Sequence, residues 1–146
     1  MVGIIVVLSV VFGVTVMRQK AQFQEYRAAT LEQQPLPWTQ AAMTVDECVE
    51  FTVDWAMACP GVESWCFNEA PTLTRQCLES QDRSEACAAL GDTVASTKFG
   101  YAECEQLRGS VEGRYTKRNH KKFCASSYRA VAEFCREGDV VTPAGS

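Results

Sequence analysis

Cys48-Val-Glu-Phe-Thr-Val-Asp-Trp-Ala-Met-Ala-Cys59 is the segment from which the fold can be read. Its pattern of cysteine, +4, +7 and +11 recurs as Cys66-x3-Ala70-x2-Leu73-x3-Cys77 and as Cys124-x3-Tyr128-x2-Val131-x3-Cys135. At about 100° per residue, eleven residues make almost three helical turns, so both cysteines of a pair point the same way, about 16 Å apart. Each segment therefore predicts a helix with a cysteine at either end of its apolar stripe.

Two such helices folded antiparallel set the end of one beside the start of the next. In the first hairpin this predicts nested bridges, Cys48 to Cys77 and Cys59 to Cys66, at the Cα separation of about 5.5 Å that a disulfide needs. The nested choice in the second half is Cys87 to Cys135 and Cys104 to Cys124. Spacing alone does not fix connectivity there, because Cys87 and Cys104 would not face alike on one continuous helix. Eight cysteines, an even number, point to four bridges. Metal binding is the competing use of clustered cysteine, but the chain has no Cys-x2-Cys and one histidine, His120, so no metal or haem cofactor is expected.

Around this core the helix signals are local. Thr44-Val-Asp-Glu47 has the form of a capping box and starts a helix expected from Val45 to Cys59, which Pro60-Gly61 ends. A second helical segment is expected between Val62 and Ser80, kinked or restarted at Pro71. A third begins at Asp82, a short one spans Tyr101 to Arg108, Lys117–Lys122 reads as a basic turn, and a last helix runs from Lys121 to Arg136 with Gly138 as its stop. His120 reads as a solvated residue of that turn.

The N-terminal segment has another character. Of the 146 residues the first 17 carry no charged side chain, whereas all 14 basic and 18 acidic residues follow. Val2 to Met17 would span about 24 Å as a helix, short of a hydrocarbon core of about 30 Å but extendable by snorkelling of Arg18 and Lys20. The expectation is an uncleaved single transmembrane helix, with a signal peptide or a buried core helix as the alternatives. Helix-friendly residues continue to Gln34, and Pro35 and Pro37 should stop them. The expected organisation is thus a transmembrane helix and its aqueous extension over 1–34, a linker over 35–43, a cysteine-rich helical domain over 44–138 and a tail over 139–146. The fold class is all-α, an N-terminal membrane helix followed by a disulfide-stapled helical-hairpin domain.

Two rules conflict over its location. Arg18 and Lys20 after the anchor would leave the cysteines in a cytoplasm, where disulfides rarely persist. The mitochondrial intermembrane space, which oxidises imported cysteine domains, resolves the conflict; a bacterial periplasm or a secretory lumen is the alternative, with the charge rule broken. The expected location is therefore a single pass through the mitochondrial inner membrane with the cysteine domain in that space.

Paired cysteines on antiparallel helices make the segment Thr44 to Gly138 resemble the twin Cys-x9-Cys, or coiled-coil-helix-coiled-coil-helix (CHCH), proteins of the intermembrane space. The chain departs from them in a spacing of ten rather than nine, in Pro71 and in its central cysteines. The resemblance implies that Tyr128, Val131 and Phe134 around Cys135 could serve as the docking signal of the import oxidase, with core packing as the other reading.

No phosphate loop, Ser/His/Asp set or pair of catalytic acids is present, so the chain is not expected to be an enzyme. Nine acidic residues between Thr44 and Glu85 stand against Arg75 and Arg83, while Arg108, Arg114, Lys117, Arg118, Lys121 and Lys122 face only Glu112. The acidic half would suit a basic partner such as cytochrome c. Lys117, Arg118, Lys121 and Lys122 would suit inner-membrane lipid, cardiolipin included, or an acidic subunit. Nucleic acid is not expected from a chain of net charge -4.

The function expected from these features is a non-catalytic accessory subunit of a mitochondrial respiratory-chain complex that stabilises its intermembrane-space face through contacts with other subunits. Complex I comes first, because its accessory set resembles this chain in cysteine pattern and N-terminal span. The alternatives are a subunit of complex III or IV near cytochrome c, and a secreted or surface disulfide-rich binding module.

Overall fold

The computed structural model describes the backbone of residues 2–140 and the side chains of residues 8–138. Seven α-helices and a short 3₁₀ turn follow one another: α1 (Val2–Leu31), α2 (Pro37–Gln40), α3 (Val45–Ala58), α4 (Glu63–Glu79), α5 (Ser84–Leu90), the 3₁₀ turn (Gly91–Ala95), α6 (Tyr101–Arg108) and α7 (Arg114–Val140). Helices α3, α4 and α7 pack against one another to form the core, with α5, the 3₁₀ turn and α6 laid against α7.

The start of α3 follows from its capping residues. The Thr44 hydroxyl accepts from the Glu47 amide at 3.2 Å and the Glu47 carboxylate accepts from the Thr44 amide at 2.7 Å, so two orphan donors of the first turn are satisfied reciprocally. Those bonds hold the Glu47 carboxyl below the usual carboxylate range. Thr44→Ala removes the hydroxyl acceptor and is expected to cost about 1 kcal/mol, read from urea unfolding midpoints. An unchanged midpoint would show that tertiary packing alone sets this helix start.

Pro71 does not divide α4. The helix runs unbroken from Glu63 to Glu79 with the proline inside it, because Ala70, Leu73 and Thr74 on either side are fully buried against α3 and α7 and packing offsets the lost amide bond. Lys117–Lys122 is likewise not a turn. Helix α7 begins at Arg114 and includes Gly138, as its side chains from Phe123 to Cys135 supply a long buried stripe. Residues 141–146, most of the expected tail, lie outside the described residues.

The expected membrane helix is overturned. Among the described residues no helix is long and apolar enough to cross a membrane, and the single-pass inner-membrane placement, for which Val2 and Met17 were the limits, goes with it. Within α1 the described apolar run, Leu8 to Met17, would cover about 15 Å, half of a hydrocarbon core. Beyond it the helix turns polar and docks onto the domain instead of projecting into water.

That docking is specific. Phe23 is buried beside Trp65 with ring centroids 5.8 Å apart, and a Cβ on Gly61 would lie 3.0 Å from the Phe23 ring. The Tyr26 hydroxyl donates to the Trp55 carbonyl at 3.0 Å, the Trp55 indole donates to Thr30 Oγ1 at 2.9 Å, and Arg27 Nε meets Glu69 Oε1 at 2.6 Å. After the bend at 32–35, Pro37 opens α2, where a proline costs no hydrogen bond. Trp38, in the expected linker, is 2% exposed and packs edge-on against Phe51 at 5.8 Å.

Candidate functional site

The cysteines form the staples. Cys48 is bonded to Cys77, Cys59 to Cys66, Cys87 to Cys135 and Cys104 to Cys124, with Cα separations of 5.8, 6.1, 5.2 and 5.7 Å. No cysteine is free. The first two bridges close the α3–α4 hairpin at both ends, as helical phase predicts for cysteines eleven residues apart. The other two reach α7 from α5 and α6 separately. Gly91 and the 3₁₀ turn break the chain between those short helices, so Cys87 and Cys104 need not share a helical face.

The surface carries three distinct features. The first is the apolar arm of α1. Leu8, Val10, Val11, Phe12, Val14 and Met17 are exposed, Phe12 at 72% and Met17 at 74%. At 100° per residue these positions cover all but about 140° of the helix circumference, and the remaining sector holds Val16, Ser9 and Gly13.

The second is basic. Lys117 and Arg118 lie on the first turns of α7 with Arg114 and Lys121, across from Arg108 at the end of α6. Arg108 is paired with Glu105, and Lys121 lies 3.5 Å from the same carboxylate with its ammonium 5.0 Å from the Tyr101 ring centroid. Lys122 stands apart from this group. It is bonded to Glu63 of α4 at 2.7 Å, and Tyr115 donates to the same carboxylate at 3.2 Å. Its ammonium holds the Glu63 carboxyl below the usual range.

The third is a groove of about 650 Å³ between the start of α4 and the middle of α7, floored by Val62, Phe67 and Ala125 and edged by the Glu63–Lys122 pair and Arg129. Phe67 also stacks beside Phe123 of α7 with centroids 6.2 Å apart.

No family model matches this chain, and no curated protein or solved structure is similar to it. Its function must be read from its own residues. Among the described residues no group of histidine, cysteine and carboxylate side chains could hold a metal ion.

The acidic half is less open than its composition suggests. Glu63, Glu69 and Glu79 are held by Lys122, Arg27 and Arg75, and Asp46 accepts from the Tyr128 hydroxyl at 2.7 Å. Tyr128 and Val131 are buried and Phe134 partly so, which places the first two in the core and not on a docking surface. Burial and the Asp46 carboxylate push the Tyr128 phenol far above its ordinary value.

His120 is not solvated. It is 5% exposed, its Nδ1 has no hydrogen-bond partner among the described residues, and it lines a small cavity with Asp54, Leu107 and Thr116. Extending α7 back to Arg114 rotates this residue inward, which a reading as a turn misses. Burial is the main reason its pKa falls below 6.5, opposed by Asp54 and aided by Arg108. The neutral imidazole is thus the form that the fold accommodates. The unfolded chain binds the proton more readily, so the contribution of His120 is full above pH 6.5 and is lost as pH falls through its lowered folded value. Melting temperatures taken at pH 7.5 and 5.5 are expected to drop on acidification in the native chain and to change less in His120→Gln. Equal slopes would remove His120 as the cause.

Arg83 was also not legible as a buried residue. It is 8% exposed, and its guanidinium reaches the Leu78 carbonyl at 3.4 Å and Cys48 Sγ at 3.6 Å. It closes the turn between α4 and α5 over the Cys48–Cys77 bridge.

Proposed function

We propose that this protein is a non-catalytic accessory subunit that works by packing: its stapled domain is a rigid body, and the arm of α1 is the part that inserts between neighbouring subunits. The observation that carries this reading is the arm. Ten residues from Leu8 to Met17 without a charge, with large side chains exposed over most of the helix circumference, form an apolar surface that is costly to leave in water. One flat face would cover only part of it. A cleft between partner helices covers all of it.

The rest of the molecule supports the same reading. Tyr26, Arg27 and Thr30 fix the root of the arm to α3 and α4, so its direction relative to the domain is set before it meets a partner. Four bridges limit the conformations of the domain, and they suit an oxidising compartment. We name a respiratory-chain complex as the assembly, complex I ahead of complexes III and IV, from the resemblance of the paired-cysteine helices to twin Cys-x9-Cys proteins. No membrane span is part of this proposal.

Native gel electrophoresis of the source complexes, with mass spectrometry of the bands, tests it. Co-migration with complex I is expected, and a Phe12→Asp variant is expected to fall out of the assembly while keeping the melting temperature of the native chain. Recovery only as a free monomer would sink the accessory reading. Recovery in some other assembly would sink the choice of complex alone.

A further inference from the structure

We infer that the corner between α6 and α7 is a binding site for a phosphate-bearing anion, formed by Arg108, Arg114, Lys117, Arg118 and Lys121 around Gly113. These residues line an open, shallow depression of about 520 Å³. Their placement is a product of the fold. Arg114, Lys117, Arg118 and Lys121 fall at i, i+3, i+4 and i+7 of α7 and so share one stripe of the helix. Arg108 comes from the last turn of α6, and Gly113, at φ 84°, turns the chain back so that the two helices face each other across the pocket.

Charge is left uncompensated there. Five cations line the pocket, and among the described residues the only carboxylate that pairs with any of them is Glu105, which serves both Arg108 and Lys121. Arg114, Lys117 and Arg118 have no ion pair among the described residues, although Glu63 feels the field of Arg118. A solvated basic face would not need to concentrate its charge at this end of a helix. The first turn of α7 holds no acidic residue, and the helix dipole places partial positive charge where the arginines and lysines already crowd, so the arrangement opposes the usual preference for acids there. An anion seated in the pocket reverses that opposition, because the dipole and the cations then act together on it.

Phosphate suits this chemistry. Guanidinium groups can grip its oxygens in pairs, while lysine ammonium groups supply point charge. The same chemistry is offered by a lipid headgroup and by a soluble phosphate compound. The inference does not depend on which assembly, if any, the protein joins.

Inorganic pyrophosphate and two vesicle preparations, phosphatidylcholine alone and phosphatidylcholine with one fifth phosphatidylglycerol, are the probes to use with the full chain. Binding to pyrophosphate, to the anionic vesicles or to both is expected, at least ten-fold weaker in R114Q/K117Q/R118Q and unchanged in K122Q, whose lysine lies outside the pocket. A soluble phosphate ligand is indicated if pyrophosphate binds and displaces the protein from anionic vesicles, a headgroup if only the vesicles bind. The neutral vesicles measure what the apolar arm contributes by itself. The three replaced side chains are exposed, and circular dichroism checks that the variant is folded; K117Q alone, expected to weaken binding less, guards against a folding defect in the triple variant. Failure of both probes to bind, or equal binding by the native chain and the triple variant, would overturn the site.

Discussion

Gly100→Ala is expected to destabilise the protein by about 3 kcal/mol or more, the sum of overpacking and a strained backbone. Gly100 sits at φ 74° immediately before α6, a conformation that L side chains seldom adopt. A Cβ there would lie 2.3 Å from Cγ of Tyr128 and 2.5 Å from its Cβ, distances that no relaxed contact allows. The ring cannot simply swing aside. It is buried, stands edge-on to Phe99 at 5.7 Å and donates to Asp46 at 2.7 Å, so yielding would break the contact between α7 and the start of α3. Thermal unfolding is the measurement, with a fall of roughly 10 °C expected for a chain of this size. Tyr128→Leu in the same chain should make the alanine less costly than it is alone, because the two effects share one overlap. Additive losses would place the damage in the backbone conformation only.

Removing the bridges one at a time should rank them by the chain each one closes. Cys87–Cys135 spans 48 residues of sequence, Cys48–Cys77 29, Cys104–Cys124 20 and Cys59–Cys66 7. Loop-closure entropy then gives losses of about 4, 3.5, 3.3 and 2.4 kcal/mol for paired alanine replacements. Cys48 and Cys77 are also fully buried between α3 and α4, so their replacement adds a packing loss and should exceed its entropic share. Guanidinium unfolding of the four double variants reads the order. If the Cys59–Cys66 variant lost as much as the Cys87–Cys135 variant, restriction of the unfolded chain would not be the way these bridges stabilise the protein.

Local signals were readable where the physics is local. The capping box at Thr44 and Glu47, the break at Pro60-Gly61, the short helix at Tyr101 to Arg108 and the eleven-residue cysteine phase all depend on neighbours within a few residues, and α3, α6 and the α3–α4 hairpin follow them. What sequence did not yield depends on distant partners. Trp38 reads as a linker residue until Phe51 is beside it. Phe23 and Tyr26 read as the continuation of a projecting helix until Trp65 and Trp55 are brought against them. Lys117 to Lys122 look like a turn because four cations in six residues are a poor helix by themselves, and only the buried stripe from Phe123 onward extends α7 back through them. For the same reason the inward turn of His120 was hidden, and the splitting of Lys122 from the other lysines could not be seen before Glu63 was placed.

The covalent graph of the molecule is simpler than its four bridges suggest. Two bridges lie wholly within residues 48–77 and two wholly within 87–135, so oxidation makes two bridged units, each a pair of nested loops, joined by one thread of backbone that carries Arg83. Nothing covalent sets the angle between them. That angle is held by the buried core that α7 shares with α3 and α4, and at its edges Tyr128 meets Asp46, Lys122 meets Glu63, Phe123 meets Phe67 and Arg75 meets Glu137. The apolar arm is rooted on one bridged unit and the basic corner belongs to the other, so the packing along α7 is what ties the two ends of this protein together.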